Sequence, residues 1–492
     1  MFSKTTDPRA LIDLIYNHKH DVYKFAKKRL KNPYTFPTGN RRANSASITG
    51  KDMGDSGKGT GTFVISTQFS KNNIKVVSAR YAGGPNAGHE MQFPDKGKIT
   101  LAQVPIAALI PKATAVCMRG MLLHPEDLVR EIDRIFKMFG KIPGNILIDE
   151  NVTLSLDTER ALEAVYDSLS PNTILSTKRG IRTAASFKIM KIAPTMRDLI
   201  GNNWKERFTT HYRLVNKIAE GFKTDLKTVK VSQLDNPQGV LVGSEKQFLQ
   251  KLENVREKIK KYVSSEVYNL LKETWKNEKI AFTFEGAQAM GLHPEWGIDP
   301  TSTDPSTYGI LTSSEGIIDP HSIAANIAIF KGPWMSNTGR RKFPGGTIKG
   351  KVAQNIRDTF NEYGRTDPVP RDVFPLQIPL YQFACKVDKP DYLYLTHMDA
   401  QLDHIQIATV YKNKKTKDLS EYRPYQWYLD KLNAEIIKVP GWKAENITNI
   451  KKPEDLPENL LRLTEFYSLA LNTPIGYVSV GPYENNVIDW FS

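Results

Sequence analysis

From about residue 44 onward, short runs rich in β-branched and aromatic residues alternate with amphipathic segments. This alternation constrains the fold more than any single motif does. Ile74–Ala79, Ile146–Ile148, Thr173–Leu175, Ile280–Phe284, Tyr392–Leu395 and Ile405–Val410 read as strands. The clearest amphipathic stretch runs from Ser244 to Trp275. It opens with a Ser-x-x-Gln capping box (Ser244, Gln247) and sets Phe248, Leu249, Leu252, Val255, Ile259, Tyr262 and Val263 on one face. Strands separated by helical patterns predict an α/β fold with a largely parallel sheet. A chain of 492 residues holds about two to four domains or one heavily elaborated α/β domain. No internal repeat divides it, and Asp367-Pro368-Val369-Pro370 reads as a loop.

Charge is unevenly spread. The chain carries 68 Lys+Arg and 53 Asp+Glu, a formal charge of +15. Within residues 1–50, ten Lys/Arg outnumber three Asp/Glu. Asp7-Pro8 predicts a helix start, with Leu11, Leu14, Ile15, Val22, Phe25, Ala26 and Leu30 at helical spacing. Lys27, Lys28, Arg29 and Lys31 suit that helix's C-terminal dipole, and Asn32-Pro33 stops it. Residues 1–43 are expected to form a basic helical extension, docked on the main body or on a sister subunit, ahead of a catalytic domain over 44–492. A nucleic-acid surface is the rival reading of the same charge.

Hydrophobic residues at 40% and charged residues at 25% exclude a wholly disordered chain. Two cysteines, Cys117 and Cys385, exclude a disulfide framework and a four-thiolate zinc site. The longest apolar run, Val104–Ile110, falls far short of the ~18 residues of a membrane span. No signal-peptide pattern opens the chain, and a cytoplasmic protein without membrane attachment is expected.

The chemistry-bearing segments are rich in glycine. Gly54-Asp55-Ser56-Gly57-Lys58-Gly59-Thr60 can turn backbone N–H groups toward a phosphate, with Lys58 adding a cation. It is not a Walker A loop, because Asp52 and Gly59 occupy positions where that motif needs Gly and Ser/Thr. Gly83-Gly84-Pro85-Asn86-Ala87-Gly88-His89 follows the strand around Val76-Val77, where α/β sheets present ligands, and His89 there can transfer a proton or stabilise an oxyanion. Further segments are Thr177-Lys178-Arg179-Gly180-Ile181, Phe284-Glu285-Gly286-Ala287-Gln288, Gly364-Arg365, Thr396-His397-Met398-Asp399 and Gly481-Pro482.

Taken in this order, from about Ile48 to the C-terminus, these segments resemble the adenylosuccinate synthetase family. Its loops read GDEGKGK, GGxNAGH, Thr-x-Arg-Gly-Ile, FEGAQ, a Gly-Arg-rich stretch, TKxD and a terminal Gly-Pro. The resemblance implies an elaborated single α/β domain around a largely parallel sheet, related to the P-loop NTPases, in a homodimer. It also implies a GTP-dependent ligase that phosphorylates the 6-oxo group of a purine nucleotide and then lets the L-aspartate amine displace the phosphate, taking IMP to adenylosuccinate.

Residue by residue, the resemblance makes Asp55 the base that strips N1 of its proton, with His89 and Gln288 at the purine 6-position. Gly54, Ser56, Gly57, Lys58, Gly59 and Thr60 are expected around the GTP phosphates, and Asp55 and the Gly88 carbonyl on Mg2+, which prefers such oxygen donors. Asn86, Thr177, Lys178 and Thr303 fall in segments that hold the purine nucleotide. Lys191 stands where the family has an arginine reaching the 5′-phosphate from the neighbouring subunit; lysine keeps the charge and loses the fork. Asp399, with His397, Gly481 and Pro482, matches the guanine site. A carboxylate there accepts from guanine N1–H and the 2-amino group and repels adenine N1, which favours GTP over ATP. Arg365 and Arg371 are the arginines at hand for the aspartate carboxylates.

The sequence departs from the family at several points: Ser56 for glutamate, His397 for lysine, Arg182 and Thr183 for Gly-Pro, and a longer, less basic loop after Gly364. Ser56 and the 85–89 segment are also similar to the phage enzymes that make 2-aminoadenylosuccinate from deoxyguanylate, and a small Ser56 leaves volume for a purine 2-amino group. Those enzymes tend to lose the carboxylates that this chain keeps at Asp55 and Asp399, so inosinate is expected ahead of GMP or dGMP. The altered aspartate loop raises the further alternative of a nucleotide-binding regulator without turnover, against which stand Asp55, Lys58, His89 and Gln288.

Overall fold

The computed structural model describes residues 7–35, 41–71, 74–169, 177–299, 318–337, 339, 341–364, 369–443 and 445–491. Ten strands form the central sheet: β1 Arg42–Gly50, β2 Lys75–Arg80, β3 Thr114–Cys117, β4 Asn145–Asp149, β5 Val263–Ser264, β6 Ile280–Ala289, β7 Ile323–Lys331, β8 Tyr392–Thr396, β9 Ile475–Ser479 and β10 Val487–Asp489. Their order is β5-β4-β3-β2-β6-β1-β7-β8-β9-β10. Every neighbouring pair runs parallel except β9–β10. The expected α/β class holds.

β1 lies inside the sheet between β6 and β7, pairing Ser47 with Phe284 and Ile48 with Ile327. Both of its faces are covered, and Ser45, Ala46, Ile48 and Thr49 have no exposed surface. Short side chains suit this place because the Lys58–Lys71 helix lies close: a Cβ on Gly61 would stand 2.7 Å from Ile329 Cδ1. Ser66 on that helix hydrogen-bonds Thr283 on β6 (2.8 Å), which satisfies two buried hydroxyls.

Ile405–Val410 is a strand as expected, within His404–Asn413; it belongs to a separate smaller sheet and pairs antiparallel with Leu432–Pro440. Two expectations need correction, and a third lies outside the described residues. The Ser244–Trp275 stretch is two helices, Glu245–Lys260 and Val267–Trp275. Between them the chain turns onto the sheet edge as β5, where Ile148 N–H donates to Tyr262 O (2.8 Å). The capping box at Ser244 and Gln247 is present as expected. The N-terminal pattern is also broken. Pro8–Ile12 runs on through a π-helical turn, Asp13–Asn17, and a second helix, Val22–Lys27, starts under its own Asp21 cap. Thr173–Leu175 lies outside the described residues.

The N-terminal helices are docked on the body. Leu11, Ile12, Ile15, Val22 and Ala26 are buried in one apolar cluster with Leu460, Phe466 and Trp490. Polar contacts frame that cluster: Arg462 donates to the Ile15 carbonyl, His20 meets Glu465 (2.9 Å), and Arg29 pairs with Glu454 (2.6 Å). Among the described residues no helix is long and apolar enough to cross a membrane. Cys117 and Cys385 are free and buried. Ile15 has no exposed surface. Ile15→Ala is therefore expected to cost about 2–5 kcal/mol, read as a lowered midpoint in chemical denaturation. An unchanged midpoint would mean that the extension is not part of the folded core.

Candidate active site

The C-terminal ends of β1, β2, β6, β7, β8 and β9 open on one edge of the sheet, the position at which parallel sheets bind ligands. At the end of β1 the chain turns through Gly54 (φ 103°), Asp55 (φ 48°) and Gly57 (φ 89°) into the Lys58–Lys71 helix. Aspartate is one of the few residues other than glycine that enters the left-handed region readily. Two further glycines are fixed by contact. A Cβ on Gly50 would lie 2.9 Å from both Ser56 Oγ and the Gln288 carbonyl oxygen, and 3.0 Å from Lys58 Nζ. A Cβ on Gly59 would lie 2.6 Å from His89 Cβ. Glycine at 59, where a Walker loop would carry a hydroxyl side chain, is what lets His89 touch the helix start.

His89 is buried, and its Nδ1 is bound to Glu285 within β6. Its Nε2 has no hydrogen-bond partner among the described residues. Burial, with Arg80 adding to it, pulls the imidazole down to about 4, so the ring is neutral. Nδ1 then donates to Glu285 and Nε2 is left as the acceptor. Glu285 also accepts from Ile106 N–H (2.9 Å) and stands 3.8 Å from Arg80. Burial would raise this carboxyl, yet His89, Arg80 and the amide hold it below the usual range.

A chain of charges runs behind Asp55. Arg371 donates through one nitrogen to Asp55 (2.9 Å) and through the other to Glu362 (3.0 Å), and Glu362 pairs with Lys331 at the end of β7. Trp334 Nε1 also donates to Glu362 (3.3 Å). Asp55 is a third exposed, whereas Glu362 and Lys331 are buried. Lys58 is buried beside Ser56 Oγ (3.5 Å), and burial draws its ammonium down to about 8.

The remaining expected residues fall at the two ends of this centre. At one end, Gln288 (φ 56°) donates to the Asn86 carbonyl (3.4 Å), and the Asn86 side-chain oxygen has no partner among the described residues. A Cβ on Gly84 would meet Ile181 at 3.0 Å, so the 83–89 loop abuts the segment bearing Thr177 and Lys178, both exposed. Lys191 is exposed at the end of the Ile181–Ile189 helix. At the other end, Thr396 Oγ1 donates to the Ser56 carbonyl (2.9 Å), and Met398 N–H donates to Ser479 O (3.1 Å), which joins the 396–399 turn to Gly481-Pro482. Burial raises Asp399 to about 6. His397, wedged between Trp334 and Phe360, is pulled down to about 4 by burial and Lys331, so it does not supply the charge of a lysine. Thr303 and Arg365 lie outside the described residues.

Sequence reading gave no role to Glu285, Lys331 or Glu362. Each had a signal: Glu285 sits inside a quoted motif, Lys331 ends an apolar run, and Glu362 stands two residues before Gly364.

Glycine loops gathered on the strand ends of a parallel sheet, around a buried His–Glu pair and an Asp–Arg–Glu–Lys chain, define the class of nucleotide-dependent α/β enzymes. Comparison narrows that class. The adenylosuccinate synthetase family model matches residues 47–488, and the chain belongs to that family of ligases that form a C–N bond. The family reaction joins IMP and aspartate at the expense of GTP. The chain is 26% identical to adenylosuccinate synthetase 2, chloroplastic, of Oryza sativa subsp. japonica, over 90% of this chain and 86% of that one. It is 27% identical to adenylosuccinate synthetase of Koribacter versatilis, over 90% and 94%. In fold it is similar to fully ligated adenylosuccinate synthetase from Plasmodium falciparum (TM-score 0.78, 24% identity, 91% of this chain and 100% of that one). It is less similar to cyanophage S-2L succinoaminodeoxyadenylate synthetase bound to dGMP and to dATP as an energy donor (TM-score 0.53, 14% identity, 91% and 96%).

Glu285 fixes the tautomer and direction of His89. Glu285→Gln is expected to lower the rate of GTP-dependent phosphate release by about 10²-fold or more with the thermal midpoint little changed. Normal turnover in this variant would show that His89 does not depend on Glu285.

Proposed function

We propose that this chain joins L-aspartate to C6 of inosinate at the expense of GTP. The observation that supports the reading is the meeting of Ser56 Oγ, Lys58 Nζ and the Gln288 carbonyl at Gly50, with His89 against Gly59 at the start of the following helix and Asp55 in the turn between. A lactam oxygen is a poor nucleophile until N1 loses its proton. Asp55 takes that proton, and Arg371 beside it (2.9 Å) orients the carboxylate. Negative charge then builds on O6 and the γ-phosphate, and the Lys58 ammonium and backbone N–H groups of residues 55–60 stabilise it. His89 faces O6 through Nε2, and Gln288 holds the ring. Arg371, already a two-pronged donor, offers its fork to the incoming dicarboxylate once Asp55 turns to the purine.

Among the described residues no three His, Cys, Asp or Glu side chains converge as a metal cage. The donors on offer, the partly exposed Asp55 carboxylate and the Gly88 carbonyl, fit Mg2+, which in phosphate sites takes few protein oxygens and completes its shell with phosphate and water. Bound there, Mg2+ would neutralise phosphate charge. Ile189 and Met190, 82% and 61% exposed, flank Lys191. An apolar patch beside a phosphate-seeking lysine supports a homodimer in which Lys191 serves the partner's site.

GMP or dGMP as the acceptor is a second reading, favoured by one observation. Ser56 Oγ and the Gln288 carbonyl crowd the same point, so the small residue at 56 borders the proposed purine grip. Incubation with IMP, GMP or dGMP, GTP or ATP, Mg2+ and aspartate, read by mass spectrometry, is expected to give the aspartate adduct of IMP with GTP. An adduct only with a guanylate would move the reading to the second substrate, and none with any would sink both. Asp55→Asn is expected to lose at least ~10²–10⁴-fold of the productive reaction.

Asp399 must be ionised to accept from guanine. With its carboxyl at about 6, KM for GTP is expected to rise about tenfold per pH unit below that value. Asp399→Asn should flatten this slope, and a slope unchanged in that variant would remove Asp399 from the base site.

A further inference from the structure

Asp52 has no part in the reaction described above, yet it is a fully buried carboxylate within the turn that ends at Lys58. Its backbone is fixed, because the carbonyl accepts from Gly291 N–H (3.0 Å). Its side chain accepts N–H bonds from Gly54 (3.2 Å) and, at the limit of hydrogen-bond distance, from Lys331 (3.5 Å). No cationic side chain lies within 4 Å of it among the described residues. Lys58 is the matching case: a buried ammonium whose polar side-chain neighbour is Ser56 Oγ at 3.5 Å, with no carboxylate within 4 Å among the described residues. The other cations of the centre, Lys331, Arg371 and Arg80, each have a carboxylate within 4 Å.

An isolated buried lysine loses its proton readily, by several pH units at full burial. A lysine that must meet a triphosphate needs the charge, and a carboxylate in direct contact would compete with the phosphate for it. A carboxylate one layer behind the loop keeps the ammonium charged while leaving its donors open. We infer that Asp52 is a positioning residue of this kind, holding Lys58 protonated and facing the phosphates from behind the loop. The inference rests on reading residues 54–60 as a phosphate loop.

The surrounding charges agree. Burial lowers Lys58, and Asp52 opposes this more strongly than Asp55 does, whereas Lys331 and Arg80 add to the lowering. Asp52 in turn is raised to about 6 by burial, with Lys331 and Lys58 pulling against it. It therefore carries its charge at neutral pH. Tyr381 and Tyr467 feel the charge of Asp52, and burial holds both neutral.

Calorimetric titration with inorganic tripolyphosphate, without purine or aspartate, isolates the loop from the ligase chemistry. In the unaltered protein, binding is expected to weaken as pH rises through about 8, where Lys58 loses its proton. In Asp52→Asn that midpoint should fall by about one to two pH units, with affinity at pH 8 reduced roughly tenfold. Asp52→Ser, smaller than the pocket, should behave alike, and thermal melting checks that both variants fold. In a Lys58→Arg background, where the cation does not titrate, the substitution at 52 should leave the pH dependence unmoved. A midpoint unchanged in both Asp52 variants would overturn the inference and leave the phosphate loop standing. Absence of tripolyphosphate binding by the unaltered protein at any pH would overturn the loop itself.

Discussion

The site depends on one close approach: the His89 backbone and Cβ lie against the first turn of the Lys58–Lys71 helix, at a distance that only glycine at 59 permits. Because of this contact the 83–89 loop and the phosphate loop form one surface, not two neighbouring ones. A methyl group at 59 would lift His89 from Glu285 and separate the proposed purine end from the phosphate end. The same economy of volume recurs at Gly50, where Ser56, Lys58 and the Gln288 carbonyl meet. The N-terminus of the Lys58–Lys71 helix supplies partial positive charge at this junction.

Charge balance is the second constraint. The centre buries Lys58, Lys331, Arg80 and most of Arg371, and burying a cation is costly unless an anion compensates it. Glu285 and Glu362 do so by direct contact, one beneath His89 and Arg80, the other between Lys331 and Arg371. Each also orients a group that faces the open side, so the elements that keep the fold neutral inside are those that aim the chemistry. His397 follows the same rule from the opposite side: beside Lys331 and two aromatic rings, a neutral imidazole is easier to bury than a second ammonium.

Much of this was legible in the sequence where side chains announce their setting. The strands at Lys75–Arg80, Asn145–Asp149, Ile280–Ala289 and Tyr392–Thr396 carry β-branched and aromatic runs, and the glycine loops mark where those strands stop. β1 escaped because Arg-Ala-Asn-Ser-Ala-Ser-Ile-Thr-Gly is polar in composition; its burial comes from helices pressed on both faces, which favours small residues over apolar ones. Periodicity overran the true helix ends at Lys260 and at Asn17, since an apolar residue placed for an edge strand or a second helix keeps the same spacing by coincidence. Glu285, Lys331 and Glu362 are ordinary residues in a sequence, and their importance arises only when strands distant in the chain set them beside His89 and Arg371.

The sheet ends in two very short strands, β5 with two residues and β10 with three, the latter reversed in direction. A long parallel edge offers a ladder of unpaired amides on which another molecule can add a strand. Here each margin offers too few such groups to hold a stranger. A wide sheet of this kind is thereby guarded against stacking side by side into aggregates.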